Sequence, residues 1–360
     1  MTIHIRAERR LVVPRTVSLA AVILSILVAL VVIGIVFILA GIPPLQTYVR
    51  MFRGAFGSTY GLSETLVKTI PLLLTSVGLA VAFRALVWNI GAEGQLLMGA
   101  TAATWVALFA LPDAPAWILV PAMFLAGFVA GALWALIPAF LKVRFQTNEV
   151  ITTLMTVYIA EEFVNYLVYG PWKGAAEWGF PYTDRFPEAA QLPVLGTTRI
   201  HYPTLLLALG FAALIYVLLL HTKLGYEIRV TGENPQAARY AGIDARKVVL
   251  LVMLISGGLA GLAGVGEVAG VHHRLRYARG ISAGYGFTAI IVAWLGRLHP
   301  LAIVVASFLF GGLLVGGDVL QVSLNLPVAT IDMFNGVILF FVIAAEILTR
   351  YKISVRAREA

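Results

Sequence analysis

From Val17 to Ala40 the chain runs VSLAAVILSILVALVVIGIVFILA without one charged residue. As a helix this run rises roughly 36 Å, more than the ~30 Å hydrocarbon core of a bilayer. In that solvent each backbone N–H and C=O must be satisfied inside the segment, which makes the run a membrane span. A cleaved signal peptide carries an apolar region of only ~7–15 residues, so the run is expected to be retained. Arg6, Arg9, Arg10 and Arg15 precede it and place the N-terminal tail, residues 1–16, in the cytoplasm.

Further apolar segments lie at 65–84, 86–110, 116–140, 150–169, 203–221, 248–270, 299–320 and 328–349. Between 281 and 296 the sequence ISAGYGFTAIIVAWLG is short and glycine-rich, and either crosses or dips in and returns. Lys142 and Arg144 mark one cytoplasmic loop, and 222–247 marks another. The tail 350–360 carries Arg350, Lys352, Arg356 and Arg358 and belongs inside as well. That parity favours a crossing at 281–296 and a total of about ten. It also leaves the basic stretch HHRLRYARG (271–279) outside, which counts against it. The expected fold is thus an all-α polytopic membrane protein: a single transmembrane domain, residues 1–360, with short or broken segments.

Composition agrees and excludes several functions. The chain is 60% hydrophobic and 12% charged, where soluble domains are near a quarter charged. The net charge of +8 sits mainly in tails and loops, and no base-reading motif accompanies it. There is no cysteine, hence no disulfide and no thiolate metal site. No HExxH occurs, and the adjacent His272 and His273 cannot share a helix face, so no metal site is expected. No lysine follows a glycine, so the chain has no GxxxxGK[ST] phosphate loop. GVGEVAG (264–270) matches a loose dinucleotide fingerprint but lies inside an apolar helix-length run. The spacings Gly257–Gly261, Gly266–Gly270, Gly127–Gly131 and Gly312–Gly316 read instead as close helix contacts.

Three features carry the functional reading. The loop 170–202, rich in Pro, Trp and Tyr, is external; it is either a binding surface or a set of interfacial aromatics. Within 222–247, Asn234 suits an N-cap, Pro235 a first helical position and Gly242 a left-handed stop, while Asp244 caps the next helix. A helix that short needs a surface to pack on, either its own membrane domain or a partner. In WNIGAEGQLLMGA (88–100), Asn89, Gly91, Gly94 and Gly99 weaken the start of a span, while Glu93 and Gln95 add polarity. Irregular backbone at membrane depth is tolerated where it is buried in protein or lines a wet cavity. The stretch is therefore either a pathway or gate, or a buttress. The candidate intramembrane acids Glu93, Glu161, Glu162, Glu267 and Asp318, with Lys68 and Arg84 as candidate partners, serve as structural pairs, cavity lining or a proton relay.

WNIGAEGQLLMGA, EIRVTGENPQAARYAGI (227–243) and GYGFTAIIVAWLGRLHPLAI (284–303) resemble, in order, permease subunits of ABC importers of the simple-sugar, nucleoside and branched-chain amino acid group. The resemblance covers the chain from about residue 60 onward and is strongest for the nucleoside-like branch. It implies a fold related to the vitamin B12 importer's membrane subunit, in the bacterial cytoplasmic membrane. It also implies a second, different permease, an extracytoplasmic lipoprotein that binds solute, and a separate ATPase carrying ATP and Mg²⁺. This chain would then hold no cofactor and catalyse no reaction. By the same resemblance Gly232, Glu233, Asn234, Ala237, Ala238 and Gly242 contact the ATPase, while Asn89, Gly91, Glu93, Gly94 and Gln95 lie near the translocation path. Rival readings are a proton-coupled secondary transporter, or a permease for ribose-like sugars or branched-chain amino acids.

Overall fold

The computed structural model describes residues 2–9, 15–175, 179–324 and 351–358, together with parts of 329–344. Its helices are α1 (Arg15–Leu39), α2 (Pro44–Phe56), α3 (Thr59–Arg84), α4 (Ala92–Trp105), α5 (Ala116–Phe145), α6 (Glu149–Tyr169) and α7 (Tyr202–His221). There follow α8 (Lys223–Glu233), α9 (Pro235–Tyr240), α10 (Ala245–Gly266), α11 (Ala278–Ile281), α12 (Tyr285–Leu295) and α13 (Pro300–Leu324). Among the described residues five helices are long and apolar enough to cross a membrane, and six if the pair α1–α2, bent by 118°, counts as one span. The expected span 328–349 lies largely outside the described residues.

The architecture is nearly all-helical, with one departure in the tails. Thr2–Arg9 (β1) and Tyr351–Arg358 (β2) pair antiparallel, with Thr2 opposite Arg358 and Arg9 opposite Tyr351. Both tails alternate apolar and polar residues, TIHIRAER and YKISVRAR, which is the period of a strand. Reading them for charge alone conceals that period.

The chain divides into two compact units. One comprises residues 1–54 and 316–360, the other residues 55–315. In the first, α2 folds back after the bend and its Tyr48 hydroxyl donates to the carbonyl of Leu30 at 2.6 Å.

The second unit is built on α3, α4, α5 and α10. Ser58 caps α3 by accepting from the Gly61 N–H, and Asn148 caps α6 through the Val150 N–H. Lys142 and Glu149 pair at 2.6 Å across the tight turn between α5 and α6. Where α4, α5 and α10 cross, the contacts are backbone on backbone. A Cβ on Gly99 would overlap the Gly261 backbone, and one on Gly131 or Gly257 would overlap the facing helix. The spacings 127–131 and 257–261 are thus close-approach surfaces, as expected without a hydrophobic drive between helices. The pair 266–270 instead faces His201 and Thr204.

Both α4 and α10 continue as π-helical turns, Val106–Ala110 and Glu267–His272. The loop 179–201 is fastened to the second turn and to the stretch after it. Thr183 donates its N–H to Leu275 O and accepts the Leu275 N–H on its hydroxyl, Phe186 donates to His273 O, and Leu192 donates to Ala269 O. Arg199 of the same loop meets Glu64 near the start of α3 at 3.1 Å. At the other end of α3, Arg84 donates through Nε to Leu298 O at 3.3 Å. Between them Ser76 donates to Ala289 O at 3.0 Å, so the stretch from Ala289 to Leu298 runs beside the second half of α3.

Candidate functional site

The segment expected to interrupt a span does so. Arg84 ends α3, Leu86 takes a left-handed conformation at φ 54°, and the next helix begins only at Ala92. The stretch between runs along α12. Trp88 stacks on Trp294 at 5.6 Å, and the Glu93 carboxylate accepts from the Gly286 N–H at 2.6 Å. Those two α12 positions are eight residues apart, or roughly 12 Å of helix, a distance a short extended strand spans.

Asn89 holds the stretch in place. It is fully buried, and its side-chain amide makes four hydrogen bonds. Nδ2 donates to Gln95 Oε1 and to Ser256 Oγ of α10, both at 2.9 Å. Oδ1 accepts from Gln95 Nε2 at 2.9 Å and from the Gly91 N–H at 3.1 Å. The two amides close a reciprocal ring within one seven-residue stretch. Ser256 lies eleven residues past Ala245, roughly 16 Å up α10, so the ring sits well inside the bundle.

Gly91 and Gly94 serve α6. A Cβ on Gly91 would come within 3.1 Å of Thr153 O, and one on Gly94 within 3.0 Å of Val157 Cα. Thr153 Oγ1 accepts from the Ile90 N–H at 3.2 Å. Glu93 is 3% exposed and lies at the N-terminus of α12, with Ser282 and Gly284 close by. Gly284 takes φ 88°, a turn that aims the first N–H groups of α12 at the carboxylate. Two half-helices thus meet with their N-termini together, and one carboxylate lies between them. All five predicted residues of this stretch are brought together, walled in by protein in this conformation. Ser256, Thr153, Ser282 and Gly286 complete the junction and were not singled out in the sequence. Gly286 alone left a trace, in the glycine-rich opening of GYGFT.

The second predicted cluster folds as its sequence specifies. Thr222 caps α8 by accepting from Gly225 N–H. Asn234 Oδ1 accepts from Gln236 N–H at 3.1 Å and Ala237 N–H at 3.0 Å, capping α9 behind Pro235. Gly242 ends the turn at φ 74° with open space about it, and Asp244 caps α10 through Arg246 N–H at 3.0 Å. Of the six residues named from sequence, Glu233, Asn234, Ala237 and Gly242 are exposed, with Tyr240 beside them at 95% exposure. Gly232 and Ala238 are buried: the first packs on the Arg84 carbonyl at the end of α3, and the second seats α9. The cluster is a two-sided element, anchored on α3 and presenting its outer face.

Residues 61–343 match the family described as branched-chain amino acid transport system / permease component. The chain belongs to that family. Its relatives include the glucose ABC transporter permease protein TsgB13 of Haloferax volcanii, 37% identical over 99% of this chain and 95% of that one. The guanosine ABC transporter permease protein NupP of Bacillus subtilis is 33% identical over 92% and 94%. The guanosine ABC transporter permease protein NupQ of the same organism is 31% identical over 73% and 84%. This permease is accordingly a multi-pass membrane subunit of an ABC transporter. It is not itself an enzyme, and ATP hydrolysis belongs to a separate subunit.

Proposed function

We propose that this permease forms one half of the translocation path of an ATP-driven importer for a hydroxyl-rich solute, a nucleoside or a related sugar. The observation that carries the reading is the α8–α9 element, capped at both ends and anchored through Gly232 and Ala238, with Glu233, Asn234, Ala237 and Tyr240 facing out. A helix of six residues has no stability of its own, so an exposed and capped one is a rigid knob for a partner. That partner is the cytoplasmic ATPase.

With α9 inside, the loop 179–201 at the other end of α3 faces outward, where a lipoprotein delivers solute. The pathway then lies between this chain and a second permease; Bacillus subtilis has two guanosine permease proteins, NupP and NupQ, that both resemble it. We infer ten crossings in a fold like that of the vitamin B12 importer's membrane subunit. Pairing of β1 with β2 supports that count, because tails that share a sheet lie on one side and need an even number. Both tails are then cytoplasmic, and the membrane is the cell's cytoplasmic membrane.

Closure of the ATPase pulls on α8–α9, whose inner face rests on the end of α3, one short loop away from the Trp88–Glu93 stretch. The junction of α4 with α12 is the gate that this motion moves. The test is uptake of labelled guanosine and labelled glucose by cells expressing this chain with its genomic neighbours, against a strain whose ATPase cannot hydrolyse ATP. Uptake of one solute that vanishes in the second strain supports the reading. Uptake that persists there and collapses with a protonophore returns the chain to proton coupling.

A further inference from the structure

Three polar groups, two at the start of α7 and one in the π-helical turn that follows α10, have no hydrogen-bond partner among the described residues. They are both ring nitrogens of His201, the hydroxyl of Thr204, and Oε1 of Glu267. His201 and Thr204 are fully buried and Glu267 is 3% exposed. His201, the extended residue just before α7, and Thr204 in its first turn meet, along one seam, the glycines at 270 and 266 on either side of Glu267. A Cβ on Gly270 would strike the His201 ring, and one on Gly266 would come within 2.9 Å of Thr204 Cγ2. Glu267 opens the π-helical turn of α10, and its other oxygen lies 3.7 Å from His272 Nε2.

Stranding buried donors and acceptors destabilises a conformation, and natural structures retain few of them without a reason. Burial, with the Arg199 and His273 charges adding to it, pushes His201 down to about 4, so its ring is neutral and offers one donor and one acceptor. With the Thr204 hydroxyl and a carboxyl oxygen, the seam carries the mixed donor and acceptor set that a pair of adjacent hydroxyls pairs with. The seam is also placed for it. The loop over it is held by the Leu192 N–H on the Ala269 carbonyl, within the π-helical turn itself. π-turns of this kind recur at functional sites.

We propose that His201, Thr204 and Glu267 form an internal subsite that opens during the transport cycle and takes adjacent hydroxyls of the solute. The inference rests on the importer reading above. In the closed seam these groups are unpaired, which favours opening; in the open seam they pair with the solute as it leaves the external face.

Thr204→Val separates this from a structural role, because it removes a stranded hydroxyl at nearly constant volume. If the hydroxyl serves nothing, the variant takes up solute normally and is as stable as the parent or more so. The subsite predicts an unchanged or raised thermal midpoint of the purified complex together with at least a tenfold loss of uptake. Thr204→Ser restores uptake. The measurement is ATP-dependent uptake into proteoliposomes, with labelled guanosine and labelled glucose as separate arms that distinguish a ribose from a hexose. Normal uptake by Thr204→Val, or a lowered midpoint in it, overturns the subsite while leaving the importer standing. No ATP-dependent uptake of either solute by the parent complex overturns the importer reading, and the subsite with it.

Discussion

Asn89 and Gln95 form a polar lock inside a protein that otherwise packs by glycine and apolar contact. Between them they satisfy each other and reach Ser256 and Gly91. Asn89→Ala strands the Gln95 amide, the Ser256 hydroxyl and the Gly91 N–H together. The expected loss is about 2–4 kcal/mol, the range for leaving buried groups unpaired, measured as the drop in unfolding free energy in detergent. A double-mutant cycle of Asn89→Ala with Gln95→Leu should cost about 1–3 kcal/mol less than the sum of the singles. Strict additivity would mean that the ring does not act as a unit. At this scale the sequence revealed which residue types matter but not whom they touch. The amides of NIGAEGQ stood out by contrast with their apolar surroundings. Ser256 did not, because one serine inside SGGLAGLAG looks like one more small packing residue.

The elements divide between those written in local chemistry and those set by tertiary contact. The α9 helix was legible almost residue by residue, since Asn234, Pro235, Gly242 and Asp244 each do a job that depends only on near neighbours. Its orientation was not legible, because which face of six residues turns inward depends on how the preceding α8 seats, through Gly232, on the Arg84 carbonyl at the distant end of α3. That orientation gives a paired prediction. Ala237→Arg adds a bulky cation to the outer face, leaves the fold and its thermal midpoint intact, and reduces ATPase co-purification and uptake at least tenfold. Ala238→Arg drives a charge into the buried seat and lowers the midpoint itself, by the several kcal/mol that an unpaired buried charge costs (about 3–5). Equal effects from the two variants would refute the two-sided element. The short α12 was similarly half-read. Its glycines announced a break, but only the structure shows that the break points the helix N-terminus at Glu93.

For the whole molecule, hydropathy gave the class of the chain and the positions of the five long apolar helices α3, α5, α7, α10 and α13, because bilayer thickness imposes a length that sequence cannot hide. How the 281–296 stretch is held was not legible, because it depends on residues far away in sequence: His273 and Leu275 are fixed to the loop 179–201, while Leu298 is fixed to Arg84. The paired tails were missed because charge dominated their reading, although the alternation was present. The central claim is that α9 faces the cytoplasm and seats the ATPase. A chain without cysteine allows one direct measurement of it, since Ala237→Cys then carries the sole thiol. A membrane-impermeant maleimide should leave this cysteine unlabelled in intact cells and label it in inside-out vesicles stripped of the ATPase. Added ATPase should then protect it. Labelling from outside intact cells, or labelling that the bound ATPase leaves unchanged, would contradict the account.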